Sequence, residues 1–357
     1  MCAATGSAGT AITVTGSASA FSSGSTTATI VAPRVWTQIG GSTIPYAKSI
    51  NSIALDNSNN VYAASYNSVD SLGSVWEYVN SAWGYVSNNP IGGSSGIFSL
   101  KFDDGGNLYA GGYTDGTPTY GAVWKYSSGV WTMVGGVHIP GCGSINSIVL
   151  DSSGNIYAGG YNSTTTGSGV WKYDSSSWSQ VSGGDIPGAF STLSVILDHV
   201  GNLYAAGVNT SGLGAVWKLS NGSWVSVGSS IPDAAQVNSL AVDSSDGLYV
   251  GGTNAAMDAG FVWSYSGGSW NKVGQSSISG SSYIYSITFD NSNVLFAGGS
   301  TSSPLSGAVW KYASGAWSLV GATNISGSSG VSSVLVDQFG TVYAGGYASK
   351  SGAVWKY

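Results

Sequence analysis

The sequence predicts an all-β chain, a seven-bladed β-propeller of four-stranded antiparallel blades, and three observations predict it. An apolar run closed by an aspartate recurs at Asp56, Asp103, Asp151, Asp198, Asp243, Asp290 and Asp337, with gaps of 47, 48, 47, 45, 47 and 47 residues. Each copy, such as residues 144–184, holds four short segments rich in β-branched and aromatic residues, set between Gly, Ser, Asn and Asp, with no apolar spacing of helical period. The last copy stops after its third segment, Ala353–Tyr357, and the missing fourth matches Arg34–Gly41 near the start. Strand 34–41 is therefore expected to complete the last blade and close the ring.

The turn after the first strand comes next. Three residues beyond each anchor aspartate stand Asn59, Gly106, Gly154, Gly201, Asp246, Asn293 and Gly340. These are the residue types that tolerate a left-handed backbone, so a tight hairpin is expected, with each anchor carboxylate accepting backbone N–H groups.

The second strand carries Ala-Gly-Gly at 110–112, 158–160, 297–299 and 344–346, with close variants in the other copies. Glycine weakens a strand unless something approaches closely. The 14 tryptophans supply a bulky neighbour. Seven lie in third strands, from Trp76 to Trp355, and seven in fourth strands, from Trp36 to Trp317. Indoles opposite these small residues are expected to fill the space between blades.

Residues 1–33 stand outside the repeat, are almost uncharged, and hold two β-like runs, Ala11–Thr15 and Thr26–Val31. They read as a Ser/Thr/Ala/Gly-rich arm or linker, as edge strands packed on the ring, or as an arm adding a strand to a neighbouring subunit. Residues 34–357 read as one domain.

Composition excludes several classes. Charged residues make up 7% of 357, the formal net charge is −6, and the few basic residues form no nucleic-acid face. No apolar stretch is long enough to span a membrane. Two cysteines give no disulfide framework; Cys142 is expected in the loop after blade 2. Cys2 has two readings, an ordinary cysteine or the lipid-bearing first residue of a bacterial lipoprotein. Low charge with abundant Ser, Thr, Gly and Tyr suits a secreted or surface setting.

Catalytic candidates are sparse. His138 and His199 are the only histidines, Glu77 the only glutamate and Arg34 the only arginine. No Cys/His cluster, acidic calcium loop, phosphate-binding glycine loop or nucleophile elbow is present, so no metal or cofactor is expected. Paired aspartates leave a glycosidase or lyase reading open.

Binding residues are expected on the face formed by the loops from strand four to strand one and from strand two to strand three, where the repeats vary most. There the second strand ends in tyrosine in four neighbouring blades, at Tyr347, Tyr66, Tyr113 and Tyr161, against Val208, Thr253 and Ser300 elsewhere. The same sector carries Asp70, Asp115, Tyr120, His138 and Asp185. Tyrosines beside carboxylates suit stacking on sugar rings and hydrogen bonding to hydroxyls; drift among near-identical repeats is the alternative.

The pattern Asp151-Ser-Ser-Gly154-Asn155-Ile-Tyr157-Ala-Gly159-Gly160 resembles the bacterial β-propeller repeats of the NHL and SBBP types, and covers residues 34–357. Its period and paired tryptophans are also similar to those of tachylectin-like lectin propellers, without their longer pattern. The resemblance implies a secreted or surface interaction module and carries over no sugar specificity.

The expected function is a non-enzymatic binding module with a glycan or a surface protein as partner. A structural subunit of a surface layer or fibre, assembled through residues 1–33, is the alternative from another class.

Overall fold

The computed structural model describes residues 34–349 and 351–357, and the backbone of two strands before them, Ala11–Gly16 and Thr26–Val31. Those two strands pair antiparallel with each other, as a sheet separate from the blades. Cys2, and with it the lipidation question, lies outside the described residues.

Seven four-stranded antiparallel sheets follow. In blade 3 the strands are Cys142–Leu150, Ile156–Asn162, Ser168–Tyr173 and Trp178–Gln180, from the channel outward. Cys142 is thus not in a loop. It opens the first strand of blade 3 and is fully buried, which pushes its thiol well above the usual range. In blade 7 the strands Gly330–Val336, Val342–Ala348 and Ser351–Lys356 are completed by Thr37–Gln38, where Thr37 pairs with Lys356 and Gln38 with Trp355. The closing strand is shorter than 34–41, and at its far end Gly40 and Gly41 turn the chain at φ of 80° and 66°.

Each hairpin after the first strand is built as its residue types require. The residue three beyond the anchor has positive φ in all seven blades, from 61° at Asp246 to 86° at Gly201. Asp151 Oδ1 accepts from the N–H groups of Ser153 and Asn155 at 3.0 and 2.9 Å, while Oδ2 accepts from Asn155 Nδ2 at 2.7 Å. Burial alone would raise the Asp151 carboxyl. The hydrogen bonds from Asn155 and Ser153, with Lys172 nearby, outweigh it and hold the group below the usual carboxylate range.

The glycine pairs have a different cause from the one expected. The third-strand indole lies across from the alanine, as Trp124 does from Ala110 and Trp171 from Ala158. A Cβ on the first glycine would meet the next blade: on Gly111 it would lie 2.7 Å from Ile148 Cγ2, and on Gly345 2.6 Å from Ile53 Cγ2. A Cβ on the second would strike a backbone carbonyl of its own blade, as Gly112 would strike Gly96, because the first strand bulges there.

The first position varies in step with its neighbour. Gly111, Gly159, Gly251, Gly298 and Gly345 face Ile148, Val195, Ile287, Val334 and Ile53, all β-branched. Where alanine stands instead, at Ala64 and Ala206, the matching residue of the next blade is Leu100 or Leu240, whose β-carbon carries one Cγ rather than two and so has no second branch to intrude. The side chains thus interlock at the level of one methyl group.

Two further rings tie the blades together. Ser52, Ser99, Ser147, Ser194, Ser239, Ser286 and Ser333 each accept, through Oγ, the backbone N–H of the next blade's first strand at 3.1–3.2 Å. At the rim, fourth-strand indoles donate to the preceding blade, as Trp83 Nε1 does to Ile39 O at 3.1 Å and Trp178 Nε1 to Val134 O at 3.0 Å. This bond forms in the five blades where glycine follows the accepting residue: Gly40, Gly135, Gly228, Gly274 and Gly321. In the other two that place is Ser87 or Ser182. Tyr126 takes the carbonyl of Val86 there, and Trp224 Nε1 is buried with no partner among the described residues.

Candidate functional site

The end of the second strand and the start of the first face each other on the loop face, and their sizes are complementary. Tyr113 pairs across from Gly96 and Tyr347 across from Gly330; Val208 faces Ser191 and Thr253 faces Gln236. A Cβ on Gly96 would lie 2.6 Å from Tyr113 Cε1, so the ring lies directly over the first-strand backbone. In blade 6 the exchange is reversed: Ser300 faces Tyr283.

The bulge adds a second aromatic source. In blades 2–7 one extra residue projects between the paired positions of the first strand, and these residues line the channel: Phe98, Asn146, Leu193, Asn238, Tyr285 and Ser332. Phe98 stacks on Tyr113 at 5.7 Å between centroids and 23° between planes. Tyr285 stacks on Tyr283 at 5.7 Å and 6°.

A pocket of about 650 Å³ opens between blades 2 and 3, walled by Phe98, Tyr113 and Tyr161 and bordered by residues 116–119, Ser144 and Asn146. Tyr161 is 38% exposed. Asn146 donates its Nδ2 to Thr192 O at 2.9 Å. Phe98 and Asn146 also line the central channel, so the pocket and the channel mouth are continuous.

The structure brings some of the sequence-derived residues together and separates others. Tyr113 and Tyr161 share the pocket. Tyr120 and His138 stack on each other at 3.9 Å and 17°. Tyr66 lies beneath Lys48, whose Nζ is 5.1 Å from the ring centroid. Tyr347 lies near Tyr285, whose phenol is pushed up by burial. Asp115 is exposed beside Gly93. Asp70 holds its own loop, accepting from Leu72 N at 3.0 Å, and Asp185 ties its loop to the one between the second and third strands of blade 3, accepting from Asn162 Nδ2, Gln180 Nε2 and Thr165 Oγ1.

Phe98, Tyr283 and Tyr285 were not singled out by the sequence reading. For Phe98 and Tyr285 the usable signal was a repeat position, five residues before the anchor, that holds Asn in three blades and Phe, Leu, Tyr or Ser in the others. Among the described residues no group of three His, Cys, Asp or Glu side chains converges as a metal site would require, and no helix is long and apolar enough to cross a membrane.

No family model matches the chain, and no curated protein matches it in sequence. Solved structures do match. The extracellular domain of a proposed one-component system, BT4673, of B. thetaiotaomicron superposes with a TM-score of 0.62 at 13% identity, covering 88% of this chain and 39% of that one. A second structure, described as the extracellular domain of a hybrid two-component system BT4673, gives 0.60 at 14% identity, again over 88% and 39%. The WD40 β-propeller domain of Doa1 gives 0.60 at 13% identity, over 89% and 96%. The chain spans about two fifths of the first two proteins. These likenesses establish the fold as a β-propeller; the resemblance to NHL and SBBP repeats rests on the repeat motif alone.

Proposed function

We propose that this propeller is a non-enzymatic binding module, acting at or outside the cell surface, that stacks a glycan ring in the pocket between blades 2 and 3. The observation that carries the reading is the wall formed by Phe98, Tyr113 and Tyr161 around about 650 Å³ at the channel mouth. Aromatic faces bind the apolar face of a sugar, and a few polar groups at the border fix its hydroxyls. Asn146, held through its Nδ2, keeps its Oδ1 for such a hydroxyl. Asp70 and Asp185 would then act only by shaping the loops. The fold likeness to the extracellular domain of a proposed one-component system supports the surface setting.

The test is a glycan array probed with the full chain. Binding to a set of related glycans supports the reading. A blank array, with the protein shown to be folded, removes it in favour of a protein partner.

A further inference from the structure

The central channel encloses about 470 Å³ and is lined by the seven first strands. Two residues before each anchor aspartate stand Ala54, Lys101, Val149, Ile196, Ala241, Thr288 and Leu335. Six of these are uncharged. Lys101 is the only cation among the residues lining the channel, and the only other titratable group there is Tyr285.

Lys101 differs from the other lysines in its surroundings. Lys125, Lys172 and Lys218 lie over tyrosine rings of the adjacent strand at 5.2–5.4 Å, and Lys272 pairs with Asp233 at 2.9 Å. Lys101 has no carboxylate partner among the described residues. Its side chain is exposed within the channel, where desolvation by the surrounding first strands pushes its ammonium group below the ordinary lysine value. A lowered value leaves a larger share of this amine unprotonated at a given pH than of the other lysines, and an unprotonated amine is a nucleophile toward carbonyl carbon.

We propose that Lys101 is a carbonyl-capture site, forming an imine with small aldehydes that enter the channel. The amine nitrogen bonds to the carbonyl carbon, and the carbonyl oxygen leaves as water with the two amine protons. The step needs no oxidant or reductant and reverses by hydrolysis. It is independent of what the aromatic pocket binds.

The test uses the full chain, glycolaldehyde as the probe and cyanoborohydride to trap the imine near pH 7, with peptide mass mapping over time. Lys101 is expected to be modified at least about ten times faster than Lys125 and Lys311, and its rate should level off at lower pH than theirs. Lys101→Met should remove the fast-labelled peptide and leave the slower ones unchanged. Labelling of Lys101 in the unmutated chain at or below the rate of Lys125 and Lys311 would overturn the proposal, whatever the variant does.

Discussion

Trp36 Nε1 donates to Val320 O at 2.9 Å, joining two residues 284 positions apart across the seam of the ring. The same segment adds Thr37 and Gln38 to the last blade and buries Ile39 and Ile44. The seam is therefore made of the same indole bond as four other blade interfaces. Trp36→Ala should cost at least about 2 kcal/mol, from lost packing and an unfilled carbonyl. Removal of residues 34–41 should cost more and lower the melting temperature sharply. Urea denaturation monitored by tryptophan fluorescence reads both; an unchanged midpoint would show that the ring closes by other means.

The unpartnered indole of Trp224 yields a stabilising substitution. Ser182 sits at φ 62°, a conformation a serine side chain disfavours, where five blades have glycine and a formed indole bond. Ser182→Gly should relieve the backbone and let Trp224 reach Val181 O. The expected gain is about 1 kcal/mol. A lower midpoint in the variant would break the link between this glycine and the bond.

The pairing of glycine with β-branched neighbours predicts coupling between blades. Gly345→Ala places a methyl 2.6 Å from Ile53 Cγ2 and should destabilise the chain by about 1–3 kcal/mol. Ile53→Leu in the same chain reproduces the combination of Ala64 with Leu100 and should recover part of that loss. A double-mutant cycle should give an interaction energy of at least about 0.5 kcal/mol. Strict additivity would mean that the match across the seven interfaces is accidental.

The hairpin carboxylates set an acid limit. Hydrogen bonds hold Asp103 and Asp151 below the usual carboxylate range against a burial effect that would raise them. A carboxyl depressed in the folded state contributes stability that is present above its unfolded pKa and lost as pH falls through the folded value. The melting temperature should therefore be flat above about pH 5 and fall below about pH 4. Asp151→Asn should lower stability at neutral pH and flatten the acid slope, as scanning calorimetry at several pH values would show. An equal slope in the variant would assign the acid loss to other groups.

What the sequence made legible follows from what is local. The anchor aspartates, the positive-φ turn residues and the closing strand could all be seen because each depends on residues adjacent in the chain or on direct comparison of repeats. The role of the glycine pairs was misassigned to the tryptophans. Gly111 answers to Ile148 in the next blade and Gly112 to a bulge in its own, and neither relationship exists until the strands are paired. The serine ring was invisible for the same reason, since Ser99 and Ile148 meet only across an interface. On the loop face, tyrosines at one repeat position were legible. Phe98 and Tyr285 were not, because their variable repeat position shows no direction until the bulge turns them into the channel. Tyr283 escaped because the aromatic ring had moved to the opposite strand of the same pair.

The most direct test of the binding reading is the affinity of a Tyr113→Ala, Tyr161→Ala double variant for a glycan selected by the unmutated chain, measured by calorimetry beside its melting temperature. Loss of two stacking faces should weaken binding by at least about tenfold, corresponding to about 1.4 kcal/mol, while the blades stay folded. Unchanged affinity in a folded double variant would contradict the account.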